Sequence, residues 1–346
     1  MGFTVLRGGL LTTVQDAGRY GFQGQGFPVC GAMDLTAFRL ANLLLGNPPD
    51  EAALEVTLLG PSLEFDAPTC VAITGGDFSP TLSGTPVPAY TALRVRPGDV
   101  LTLGGARTGT RGYIAFSGLL DVQPVLGSRS TCLACGVGGF HGRKLEAGDR
   151  LGERSVRLLS RLGARRLPPP DYDRDDGVLR VVPGPQDGLI TARGLETFLT
   201  GEYTVTARSD RMGMRLEGPA IAAVSTSDIL SDGIAPGAVQ VASNGQPIVL
   251  LSDRQTTGGY AKIATLASVD IPRLVQTRPD RKVRFRAVSV DEARRLLLQE
   301  HRSLQRLRRR FAPGPAAALR RFFTAPVPWG GSNRTEGGKE PCKPST

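Results

Sequence analysis

Apolar residues in this chain come in short runs, each cut off by glycine, proline or aspartate. Examples are LEVTLLG (54–60), CVAITGG (70–76), DVLTLGG (99–105) and GYIAFSG (112–118). Runs of this length match single strands, and the turn residues between them stop a strand from becoming anything longer. The pattern resumes at VLRVVPG (178–184), YTVTA (203–207), PIVLL (247–251), KIATLASV (262–269) and KVRFRAV (282–288). A mostly β architecture with a few short helices is the expectation, either closed or sandwich-like. The clearest helix starts at Asp34, whose carboxylate can accept from free backbone N–H groups. Leu35, Phe38, Ala41, Asn42 and Leu45 share one face, and Gly46 and Pro48 end it. A second helix is expected over 189–199 and a last one from near Asp291.

With 346 residues the chain is long enough for two domains. Residues 160–177, SRLGARRLPPPDYDRDDG, are basic, then proline-rich, then acidic, with no apolar period. The expected division is a first β domain over 1–160, a linker over 161–177, a second β domain over 178–300 and a basic, largely disordered tail over 301–346.

The net charge of +10 resembles a nucleic-acid signal until it is located. Ten Lys/Arg and two Asp/Glu fall between Arg302 and Thr346, so the rest of the chain carries only about +2. The folded body therefore has no basic footprint, and neither a nucleic acid nor a membrane is expected as partner. The five cysteines are odd in number and lack framework spacing, which points to reduced thiols and a cytoplasmic location. Cys132 and Cys135 have CxxC spacing, but His141 is the only histidine nearby, so no metal is expected. The N-terminus has no long apolar run, and a signal peptide is not expected.

The stretch most in need of explanation follows the buried run Ile248–Leu251. Ser252, Asp253, Arg254, Gln255, Thr256 and Thr257 form an unbroken polar run, then Gly258, Gly259, Tyr260 and Lys262. One exposed strand end accounts for one or two such residues, while the glycines allow a sharp turn and close approach to a ligand. Other segments share this style. ARSDRMGMRLEG (207–218) carries three arginines, whose planar forks match carboxylates and phosphates. The glycine-rich loop 14–34 holds Gln15, Asp16 and Arg19, without the spacing of a phosphate loop or a dinucleotide fingerprint. Residues 126–151 offer Ser128, Arg129, Ser130, Thr131 and bare glycine N–H groups. Gln240, Asn244 and Gln246 supply amides, which give and accept hydrogen bonds at once. Each also has a plain structural reading: a hydrogen-bonded turn, an ion-paired strand, or the Asn244-Gly245 hairpin.

Taken together, TVQDAGRYGFQGQGFPVCGAMD, GSRSTCLACGVGGFHGRKLEAGD, SDRMGMRLEGP and SDGIAPGAVQVASNGQPIVLLSDRQTTGGYAKIATLASVD resemble the biotin-dependent carboxyltransferase family. That family includes the C subunit of 5-oxoprolinase, the carboxyltransferase region of urea carboxylase, also labelled the second subunit of allophanate hydrolase, and an antagonist of a sporulation kinase inhibitor. The resemblance covers about 1–290. It implies two cyclophilin-like β-barrel domains with a cleft between them, and partner chains like the A and B subunits of 5-oxoprolinase. It further implies ATP-dependent hydrolysis of 5-oxo-L-proline to L-glutamate, with ATP bound here or by a partner. The alternatives are carboxyl transfer to a urea or amide, for which biotin would be the cofactor, and a non-catalytic regulator of a protein like the B subunit.

On that resemblance, opening a lactam calls for cations against developing negative charge, for which Arg211, Arg215 and Lys262 are candidates. Asp253 or Asp16 would accept a proton. Gln240, Asn244, Gln255 and Thr256 would hold the amide, and Arg19 and Arg129 would complete the substrate contacts.

Overall fold

Large and small side chains alternate in the strands of the first half, and this decides its layering. In Thr69–Asp77 and Thr108–Phe116, the residues Val71, Ile73, Ile114 and Phe116 point one way, into a core shared with Phe3, Val5, Leu63 and Leu101. Cys70, Ala72, Tyr113 and Ala115 point the other way, as the two-residue period of a strand requires. The small residues on that face let helix α1 (Leu35–Leu44) lie close, with Phe38, Ala41 and Leu44 against them.

The computed structural model describes residues 1–155, 157–172, 176–224 and 228–312, and Met1–Ala312 form one compact unit. The first half holds two antiparallel sheets. One has six strands in the order Arg150–Gly152, Gly2–Arg7, Ser62–Phe65, Val100–Thr102, Thr81–Leu82, Thr85–Pro86. The other has five, in the order Leu11–Gln15, Ala53–Thr57, Thr108–Phe116, Thr69–Asp77, Ala92–Val95. The large residues named above fill the space between these sheets.

The second half is a closed barrel of seven strands. Its ends meet where Val178–Val181 pairs in parallel with Arg284–Ala287. Val181, Val205, Leu216, Val239, Val249, Ile263 and Phe285 fill it. Helix α2 (Ala192–Thr200), capped by Thr191 through Gly194 N at 2.9 Å, closes one end by stacking Phe198 on Phe285 at 4.5 Å. Outside the barrel, Asp228–Gly233 and Thr257–Tyr260 pair as a two-stranded arm. No strand of one half joins a sheet of the other among the described residues.

Two helices tie the halves. Helix α3 (Ile271–Gln276) ends in a side chain that serves the first half. Gln276 Oε1 accepts from Thr110 N and Arg111 N at 2.9 and 3.0 Å, and its Nε2 donates to Asp34 Oδ2 at 2.9 Å. Helix α4 (Val290–Phe311) is capped by Ser289, two residues before the expected Asp291. It also overturns the expected boundary at 300, because residues 301–311 are helical. Asp291 and Glu292 in its first turn and Arg308, Arg309 and Arg310 in its last complement the helix dipole. Phe311 is buried beside Phe38 and Leu44, and Arg165 Nη1 donates to its carbonyl at 3.0 Å. The expected tail beyond Ala312 lies outside the described residues.

Candidate functional site

The polar run after Leu251 is distributed among three places, which is why it needs so many hydrogen-bonding side chains. Asp253 goes to the seam between the halves. Both its oxygens take the fork of Arg211, from Nε at 2.9 Å and Nη2 at 2.8 Å. Arg211 Nη1 also bonds Glu55, and Nη2 donates to the Gly31 carbonyl at 2.7 Å. Glu55 in turn accepts from Tyr113 Oη at 2.9 Å and Met33 N at 2.8 Å. Gly31 has φ +88°, and a Cβ there would sit 2.9 Å from the backbone of Ala17 and Gly18, so only glycine lets the loop come this near. Cys30 N donates to Ser252 O at 2.9 Å in the same seam. Arg211 and Asp253 therefore do meet the glycine-rich loop, as a saturated buried ion pair that joins the halves.

Ser252 and Arg254 line a cavity of about 290 Å³ between the halves, with walls from the 17–39 segment and from α4. Gln255, Gly258, Gly259 and Tyr260 line a different pocket, of about 310 Å³, between the arm and the outer face of the barrel. Arg215 and Gln240 line this outer pocket too. Gln240 points outward because Val239 and Val241 point into the barrel. Its Nε2 is buried and has no hydrogen-bond partner among the described residues. A Cβ on Gly258 would come within 3.0 Å of that nitrogen, so the glycine keeps the space above it open.

Lys262 is paired with Gln240 in register, on the same outer face. It is 3% exposed, and its Nζ lies 3.3 Å from Asp232 Oδ2 without forming an aligned hydrogen bond. Asp232 is held below the usual carboxylate range, first by the Gly233 N–H and then by Lys262. Gln186 braces the pair: its Oε1 accepts from Lys262 N at 3.1 Å, and its Nε2 reaches Asp232 at 3.4 Å. Two buried nitrogen donors beside a carboxylate form a site able to hold a carbonyl oxygen and take up negative charge.

Other expected site residues sit elsewhere. Asp16 is committed to its loop: Oδ1 accepts from Gly18 N, Ser128 Oγ and Ser130 Oγ, and Oδ2 from Arg129 N. Arg19 donates to the carbonyls of Val125 and Ser130, and Arg129 to that of Val122. Asn244 is exposed in a turn, where its side chain accepts from Gln246 N at 3.1 Å. Thr256 contributes its backbone carbonyl to Ile234 N. Of the sequence candidates, Arg215, Gln240 and Gln255 share the outer pocket with Lys262 beside it. Arg211 and Asp253 are in the seam, and Asp16, Arg19 and Arg129 are in the first-half loops. Glu55, Asp232 and Gln186 were missed. Glu55 lay inside an apolar strand, and Asp232 stood far from Lys262 in the chain.

Cys30, Cys132 and Cys135 gather near Asp253. Hydrogen bonding from Cys30 lowers the Cys132 thiol to about 6, and the Cys135 thiol is pushed up to about 11 by its bond to Cys132. Among the described residues no group of His, Cys, Asp and Glu could hold a metal.

This chain belongs to the carboxyltransferase family whose model is described as "Carboxyltransferase domain, subdomain A and B", which matches residues 25–287. Among its relatives are proteins named as the C subunit of 5-oxoprolinase. That of Escherichia coli K12 is 37% identical over 88% of this chain and 96% of its own length. That of Haemophilus influenzae is 37% identical over 86% and 94%. The urea amidolyase of Saccharomyces cerevisiae is 31% identical, but the match takes in only 17% of that enzyme. The crystal structure of Kluyveromyces lactis urea carboxylase superposes with a TM-score of 0.81 at 30% identity, covering 88% of this chain and 29% of that one. No helix among the described residues is long and apolar enough to cross a membrane.

Proposed function

We propose that this chain is the C subunit of an ATP-dependent 5-oxoprolinase, acting with chains like its A and B subunits to convert 5-oxo-L-proline to L-glutamate. The observation that carries this reading is the match over 96% of the length of the E. coli protein and 88% of this chain. The urea enzyme of yeast is similar only over a small part of its length.

The outer pocket is where we place the lactam. Gln240 Nε2 and Lys262 Nζ are buried donors that stabilise a carbonyl oxygen as it gains negative charge. Arg215 adds a second cation on the pocket wall. Asp253 and Asp16 are occupied by their partners within the fold, whereas Asp232 is the exposed carboxylate beside Lys262 and pairs with that ammonium. ATP, where a chain of the complex binds it, would supply the driving force for opening the lactam, with ADP and phosphate released. Among the described residues the first turns of α1, α2 and α4 are each capped by a side chain, of Asp34, Thr191 and Ser289, and the sequence has no phosphate-loop spacing. We therefore assign ATP to a partner chain. Carboxyl transfer from biotin is the second reading, favoured by the superposition on urea carboxylase. Addition of avidin discriminates, since it stops only that chemistry.

The test is ATP-dependent glutamate release from 5-oxoproline by the reconstituted complex, with each chain omitted in turn. Lys262→Met should lower kcat on the order of 100-fold while the complex still assembles. Full activity without this chain, or with Lys262→Met, would refute the assignment.

A further inference from the structure

The cavity between the halves holds a buried cation that forms no ion pair among the described residues, although Glu300 lines the same cavity. Arg254 is 5% exposed. Its Nε donates to Ile234 O at 2.9 Å and its Nη1 to Leu251 O at 3.1 Å. Both partners are neutral carbonyls, and no carboxylate forms an ion pair with it among the described residues. Burial lowers its affinity for protons, with Tyr20 and Cys30 working in the opposite direction. Those carbonyls take Nε and Nη1, and Nη2 makes no hydrogen bond to the described residues, so it is the nitrogen left for a molecule in the cavity that Arg254 lines. The other charged residues on the wall are already engaged. Arg39 pairs with Asp50, and Glu300 accepts from Thr36 Oγ1 at 2.6 Å.

The remaining wall is mixed: Val29, Met33, Leu251, Ile271 and Leu297 supply its apolar part, and Tyr20, Gln23, Thr36, Ser252 and Ser268 its polar part. An uncompensated buried guanidinium is costly, and an anion offsets that cost through short charge-assisted hydrogen bonds. Glu300 on the same wall disfavours a second negative charge, and the apolar part favours a compact hydrocarbon body over a heavily hydrated dianion such as phosphate. About 290 Å³ is ample for such a molecule.

We propose that this cavity is a binding site for a small monocarboxylate with a compact apolar body, its carboxylate held by the free edge of Arg254. The site is separate from the outer pocket, and the proposal does not depend on the reaction assigned there.

Isothermal titration on the full-length chain, without ATP or partners, tests it. The probes are cyclopentanecarboxylate, its neutral carboxamide and inorganic phosphate. The carboxylate should bind with a dissociation constant of about 1 mM or below, a normal efficiency for so few atoms. The carboxamide and phosphate should each bind at least about tenfold more weakly, because neither offers one negative charge on an apolar body. Arg254→Gln should lose about tenfold of carboxylate affinity, and Arg254→Lys should recover part of it. Leu297→Trp enlarges the α4 wall at the edge of the cavity, leaves Arg254 in place and should weaken binding, so the proposal stays testable if Arg254→Gln does not fold. Lys262→Met should bind the carboxylate like wild type. Equal binding of carboxylate and carboxamide, unchanged affinity in Leu297→Trp, or no saturable carboxylate binding by the wild-type chain would overturn it.

Discussion

Replacing Arg211 with methionine removes one charge and strands two. Glu55 is 1% and Asp253 12% exposed at the side chain, and neither forms another salt bridge among the described residues, with the buried Arg111 acting on Glu55 only from beyond contact. The Gly31 carbonyl also loses its donor. Removing one member of a buried ion pair costs about 3–5 kcal/mol, chiefly because the partner charge is left buried and uncompensated. That is a large part of the roughly 5–15 kcal/mol that holds a typical domain folded. In thermal unfolding it corresponds to a fall on the order of 10 °C. The triple variant Arg211→Met, Glu55→Gln, Asp253→Asn removes the stranded charges as well and should recover to within about 2 kcal/mol of wild type. Urea and thermal unfolding of both proteins give the comparison. An Arg211→Met protein within about 1 kcal/mol of wild type would refute the argument, as would a triple variant no more stable than the single. Arg211→Lys separates this role from substrate binding. A seam residue lowers the unfolding temperature with KM unchanged, whereas a substrate ligand does the reverse.

Asp16→Asn should cost about 1–3 kcal/mol, because its new amide group faces the Arg129 N–H. Lost activity at an unchanged unfolding temperature would mean the carboxylate serves chemistry instead. Phe311→Ala empties a site in the first-half core and should cost about 3–5 kcal/mol, read by urea unfolding. A shift under about 1 kcal/mol would show that the end of α4 does not dock there. The Cys132 thiol, lowered to about 6, should ionise as pH rises through that value. Ultraviolet thiolate absorbance should then show a step near pH 6 that Cys132→Ser removes. A step only in the ordinary thiol range, about 8–9, would refute it.

The strands were legible because each buried run obeys a two-residue period and is closed by glycine, proline or aspartate. The first helix was legible because Asp34 and Gly46 mark its ends. The boundary at 300 cut the last helix short because arginines dominate 301–311, although the helical stripe continues through Phe311. That stripe, Leu304, Leu307 and Phe311, becomes meaningful only against the first-half core. At the site, residue type was readable and placement was not. The polar run after Leu251 stood out as functional, yet adjacent residues Asp253, Arg254 and Gln255 separate into the seam, the cavity and the outer pocket. Glu55 had no signal at all, since one acid in LEVTLLG is indistinguishable from a solvent-facing strand residue until Arg211 arrives from the other half of the chain.

The long C-terminal helix leaves the second half and ends with an aromatic ring sunk beneath the first. It works as a cross-brace: prying the two halves apart would have to extract that ring and break the Arg165 grip on the backbone behind it. Separation of the halves is thereby opposed, while the two-stranded arm beside Gln240 lies outside the barrel and is not held by this brace.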